Sequence, residues 1–79
     1  MIEPKLTIVV PCYNEQDVLP ETVRRLSDLI TSLILKQKVA GSSEILFVDD
    51  GSSDQTWRLI AKHSAASTAV RGIKLSRNR

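Results

Sequence analysis

Polar side chains able to bind or react gather in three short stretches: "PCYNE" at Pro11–Glu15, "DDGSSD" at Asp49–Asp54 and "SRNR" at Ser76–Arg79. Tyr13 has a flat ring that can stack on a base or ribose, and Glu15 can accept a ribose hydroxyl. Each also has an ordinary reading, Tyr13 as a half-buried strand-end aromatic and Glu15 as a first-turn acid favoured by a helix dipole. Asp49 and Asp50 are harder to treat as plain turn residues, because adjacent carboxylates repel unless a cation or donors compensate. A carboxylate there can accept from ribose hydroxyls or a nucleobase N–H, a charge-assisted bond worth roughly 1.5–3 kcal/mol. Ser53 and Asp54, after the Asp50–Gly51 turn signal, also suit a helix cap.

Other chemistries find no support. No Gly-x-Gly-x-x-Gly or Walker lysine loop is present, so phosphates are not expected at the first helix N-terminus. The ligand ladder of an EF-hand is missing. Cys12 has no disulfide partner and no zinc-spaced neighbours, and nothing nearby activates its thiol. His63 lacks a partner carboxylate at catalytic spacing, and no nucleophile set of the Ser/His/Asp or Cys/His kind can be assembled. A formal net charge of +2 without a lysine–arginine block, and 4% aromatics, argue against nucleic acid as a partner. No signal-peptide pattern or ~20-residue apolar run occurs, which suggests a soluble chain of a reducing, cytoplasmic compartment.

The elements that must carry these stretches follow from periodicity. "KLTIVV", Lys5–Val10, reads as a strand stopped at Pro11, and its consecutive apolar residues suit a central strand buried on both faces. From about Asp17 to Gln37, Leu19, Val23, Leu26, Ile30, Leu33 and Ile34 recur at helical intervals; Asn14 or Asp17 can cap the start, and Pro20 is tolerated in the first turn. The pattern breaks around Gly41. Glu44–Val48 reads as a second buried strand and Asp49–Ser53 as a turn. A helix follows from Thr56 to about Ser64, with Trp57 as an anchor between helix and sheet, and Ile73–Leu75 is a third strand. This order predicts two right-handed βαβ units and an α/β fold with a parallel sheet. All three polar stretches then fall at the carboxyl ends of strands, where open parallel sheets bind ligands.

With 79 residues the chain is one small unit, burying only roughly 60% of its unfolded surface. Three strands and two helices leave an open edge and an uncovered sheet face, as in the first half of a larger α/β domain. That edge also offers a route to self-association into a homo-oligomer.

"TIVVPCYNE", "EILFVDDGSSDQT" and "IKLSRN", in this order and spacing, resemble the start of a family-2 inverting glycosyltransferase of GT-A fold. The nearest likeness is to the branch that charges polyprenyl phosphates, the dolichyl-phosphate mannose synthases and bactoprenol glucosyl transferases. The resemblance covers nearly the whole chain. It implies that residues 1–79 form one partial domain, the nucleotide-binding half of a Rossmann-like GT-A domain using a UDP- or GDP-sugar. By the same likeness Pro11 contacts the nucleoside through its backbone, while Tyr13 and Glu15 lie against base and ribose. Val48 flanks the base, Asp50 hydrogen-bonds it, Asp49 is the first acid of the pair, and Arg77 lies near the phosphates. The family's Asp-x-Asp site for Mg²⁺ or Mn²⁺, its general base and its lipid-phosphate acceptor site come on later strands and match nothing here. The chain alone is therefore expected not to turn over, and the parent enzyme to work at the cytoplasmic face of a membrane.

Two rivals belong to other classes. A receiver-like signalling module would need its acidic pair after the first strand, with a further aspartate and a lysine on later ones. A nicotinamide-binding half would need the missing glycine fingerprint.

Overall fold

The computed structural model describes residues 2–76, so Arg77 lies outside the described residues. Its elements are β1 (Thr7–Cys12), α1 (Leu19–Leu35), β2 (Glu44–Asp49), α2 (Thr56–Ala66) and β3 (Val70–Lys74). The strands form a parallel sheet in the order β1-β2-β3, with Val10 opposite Phe47 and Phe47 opposite Gly72. This is the βαβαβ arrangement expected of the N-terminal half of a GT-A domain.

Parity along the strands shows where the core lies. Ile8, Val10 and Cys12 stand in register with Ile45, Phe47 and Asp49, and Ile45 and Phe47 pair onward to Val70 and Gly72. This face carries the buried cluster, completed by Leu19, Val23 and Ile30 of α1 and Ile60 of α2. Trp57 packs against it from α2. The opposite face presents Val9, 59% exposed, and Ile73, 44% exposed. The consecutive apolar run in β1 therefore does not mark a strand buried on both faces. It lies at the edge of the sheet, and its residues alternate between exposed and covered.

Pro11 does not stop β1 either; it pairs with Val48 inside the strand. The carbonyls of Leu6 and Cys12 accept from the N–H groups of Glu44 and Asp50, both at 2.9 Å. Residues of that parity face β2, so the Pro11 nitrogen faces away from β2, where it interrupts no ladder bond.

Helix α1 begins two residues later than its pattern suggests and has no side-chain cap. Its first turn is closed instead by the Glu15 carbonyl, which accepts from Val18 and Leu19 at 3.1 and 2.9 Å. At its other end the Lys38 N–H donates to the Leu33 carbonyl and that of Gln37 to Ile34, both at 2.9 Å. This is a Schellman closure with Gln37 in the left-handed position, φ 58°. Glycine usually stands there because a Cβ is penalised. Gln37→Gly is expected to raise stability by about 0.5–1 kcal/mol, the relief of that penalty less the extra chain entropy lost. Urea unfolding checks this; an unchanged midpoint would show that the αL penalty is no larger than the chain entropy that glycine loses.

At the amino end of the sheet, Glu44 is 8% exposed on the uncovered face. Its carboxylate meets Arg71 at 3.0 Å and Lys5 at 3.4 Å. Burial pushes its pKa up, but the hydrogen bonds from Arg71 and Lys5 outweigh that and hold it below the usual value. A depressed folded-state pKa stabilises above the unfolded value and is lost as pH falls through the folded one. Glu44→Gln should therefore unfold at lower urea than the parent at neutral pH, the two midpoints converging in acid. A gap that persists in strong acid would mean the pair contributes through packing rather than charge.

Candidate functional site

The ladder runs on past the strand ends. Beyond the Asp50–Cys12 bond, the Leu75 N–H donates to the Asp49 carbonyl at 2.8 Å. The ends of all three strands are thus tied along one edge. Cys12 and Asp49 are the last pair in register, and Tyr13 and Asp50 follow directly after them. Tyr13 is 50% exposed, Glu15, Val48 and Asp50 are half-buried, and Pro11 is exposed. These residues share the rim of the sheet.

The acidic pair divides. Asp49 lies on the helix-covered face and is fully buried. One of its carboxylate oxygens accepts from the Ser52 hydroxyl and the other from the Ser52 N–H at 3.3 Å. The turn it closes passes through Gly51 at φ 77°, a conformation that favours glycine. Asp49 thus shapes the loop and offers a ligand no open surface. Asp50, on the other hand, lies on the rim.

The loops after β1 and β2 are laced in both directions. The N–H groups of Asn14, Glu15 and Gln16 donate to Ser52 Oγ at 2.8 Å, Thr56 Oγ1 at 2.7 Å and Asp54 Oδ2 at 3.3 Å. In return the N–H groups of Ser53 and Asp54 donate to Asn14 Oδ1 at 2.9 and 3.4 Å, and that of Gln55 to Gln16 Oε1 at 2.9 Å. Asp54 also accepts from the Thr56 N–H at 2.9 Å and from its hydroxyl. Capping of α2 therefore falls to Asp54, one residue before the N-cap Gln55, and not to Ser53. Asn14 caps no helix at all.

This accounting has a chemical consequence. A helix N-terminus grips phosphate through free backbone N–H groups. Here the amides of Asn14, Glu15 and Gln16 in one loop and of Ser53, Asp54, Gln55 and Thr56 in the other are already taken, and Pro20 removes another donor from the first turn of α1. Those amides are not available to a phosphate. Neither Gln16 nor Thr56 stood out in the sequence, since each acquires its role only from the loop opposite.

Burial, assisted by the nearby Glu15 and Asp49 charges, pushes the Cys12 thiol up to about 11, so it stays protonated and unreactive at neutral pH. Burial raises Asp54, but bonds from Thr56 and Gln16 outweigh it and hold its carboxyl below the ordinary range. Among the described residues no three His, Cys, Asp or Glu side chains gather to hold a metal. Asp49 is already committed to Ser52, so the acidic pair does not fit a divalent cation. A cavity of about 230 Å³ opens beside Pro11 and Glu15, floored by Val10, Cys12 and Leu19. It is smaller than the roughly 300 Å³ at which small-molecule pockets begin, and Tyr13 and Asp50 do not line it. No helix among the described residues is long and apolar enough to cross a membrane.

Residues 7–79 match the family model described as glycosyl transferase family 2. The chain is 50% identical over 76 residues to the uncharacterized glycosyltransferase YkoT of Bacillus subtilis, an overlap covering 96% of this chain and 23% of that protein. It is 41% identical over 75 residues to the undecaprenyl-phosphate 4-deoxy-4-formamido-L-arabinose transferase of Salmonella choleraesuis, covering 94% of this chain and 21% of the relative. The same enzyme of Salmonella typhimurium matches at the same identity and coverage. The chain thus spans less than a quarter of the length of these relatives.

Proposed function

This chain belongs to glycosyl transferase family 2, and from that premise we propose that it is the nucleoside-holding part of an enzyme moving a hexose from a UDP- or GDP-sugar to a polyprenyl phosphate. The observation that carries this reading is the laced rim. Tyr13, Glu15 and Asp50 are brought to one edge by two loops that hold each other in place. The polyprenyl acceptor is supported by the undecaprenyl-phosphate transferases among the relatives.

In this reading the base lies against Tyr13, with Val48 at its flank and its N–H donated to Asp50. Glu15 takes a ribose hydroxyl, and the Pro11 backbone forms the wall beside the cavity. Asp49 acts at one remove, through the Ser52 turn. Arg77 is assigned to the phosphate side. The reaction is an in-line, inverting displacement: an oxygen of the acceptor phosphate bonds to the anomeric carbon as the bond to the nucleoside diphosphate breaks. Mg²⁺ or Mn²⁺, required by the whole enzyme, would take ligands from residues outside this chain, so the chain by itself binds without turning over. The site works at the cytoplasmic face of a membrane, and self-association runs through an open sheet edge. A receiver-like module is not favoured, because β1 ends in Cys12 and is followed by Tyr13 rather than by acids.

Calorimetric titration with UDP and with GDP, each with and without Mn²⁺, tests the proposal. Saturable binding of one nucleotide, indifferent to the metal, is the expected result. A folded protein that saturates with neither would remove the nucleoside reading.

A further inference from the structure

Asn14 stands at the centre of the lacing between the two loops. Its backbone is left-handed, φ 52°, a conformation asparagine tolerates better than most residues. From there its N–H donates to Ser52 while its side-chain oxygen accepts from the Ser53 and Asp54 amides and from the Ser53 hydroxyl at 3.4 Å. The neighbours on either side, Tyr13 and Glu15, belong to the nucleoside rim. On the other loop the accepted amides begin three residues after Asp50. One exposed side chain therefore spans the gap between the two halves of the rim.

We propose that Asn14 is a positioning residue: its side-chain oxygen holds the Asp50 loop at a set spacing from Tyr13 and Glu15 before a nucleotide arrives. This rests on the nucleoside reading above and names a residue that reading does not use. The physical basis is pre-organisation, since a rim whose spacing is already set loses less freedom on binding. Asn14 is exposed, so deleting its side chain leaves no buried group orphaned. The cost then falls on the order of the loop rather than on the core.

The variants separate backbone from side chain. Asn14→Gly keeps the left-handed backbone and removes the acceptor, whereas Asn14→Asp keeps an acceptor oxygen at the same place. Parent and variants are titrated with UDP and GDP, and amide exchange is followed at Ser53 and Asp54. Asn14→Gly should bind about tenfold more weakly, with faster exchange at both amides and an unchanged thermal midpoint, and Asn14→Asp should restore most of the affinity. Should Asn14→Gly prove unfolded, the parent decides: slow exchange at the Ser53 and Asp54 amides before nucleotide is added supports the positioning role, and exchange that slows only on saturation overturns it. Parent-like affinity in the glycine variant, or an aspartate variant as weak as the glycine one, overturns the positioning role. A parent protein that binds neither nucleotide overturns the nucleoside reading itself, and this shows before any variant is compared.

Discussion

Gly72→Val is expected to lower stability by about 3 kcal/mol, the upper part of the range for overpacking a well-filled core. A Cβ at Gly72 would overlap Ile60 Cγ2 outright and stand 3.2 Å from the Trp57 ring, tighter than most real contacts. Ile60 is fully buried, and Trp57 packs against the same core, so neither can swing away into solvent. The missing side chain is what lets α2 settle onto β3 beside Phe47. A domain of this size has roughly 4–12 kcal/mol in total, so the loss would be a large share of it. Urea denaturation reads it directly. Gly41→Ala is the control: nothing lies within 4 Å of its Cβ position, so it should be neutral or slightly stabilising. Equal midpoints for the Gly72 variant and the parent would show that α2 can withdraw from the sheet at little cost.

Asp50→Ala should weaken nucleotide binding by roughly 10- to 100-fold, the equivalent of one charge-assisted hydrogen bond. Alanine keeps the bond from the Asp50 backbone N–H to the Cys12 carbonyl, so the ladder at this position stays closed. The neighbouring substitution, Asp49→Ala, should behave in the opposite way. It strips the Ser52 turn of both its acceptors in a fully buried place, so stability falls first and affinity falls only through the disordered loop. Calorimetry and urea unfolding on the two variants separate a ligand contact from a loop support. Equal affinity losses in the two, with stability untouched, would put both carboxylates on the ligand and refute the division.

The rim was partly legible because strand topology alone sends Tyr13, Glu15 and Asp50 to one edge. The split of the acidic pair was not legible. Adjacent aspartates look equivalent in a sequence, and only the alternation of β2 puts Asp49 among Phe47 and Cys12 on the covered face. Pro11 misled for a related reason. Proline breaks a ladder only when its missing N–H faces a partner, and which way a residue faces depends on the neighbouring strand.

What the sequence determined by itself was the order of elements and the apolar stripe of α1, because both follow from local periodicity. Leu19, Val23 and Ile30 are buried as their spacing requires. The motifs, in register over nearly the whole chain, also determined the family. The tertiary structure alone decided which polar residues face outward and which hold the loops together. Asn14, Gln16, Thr56 and Asp54 bond partners about forty positions away. No local propensity encodes such pairs; they exist only once parallel pairing of β1 with β2 has brought the two loops side by side.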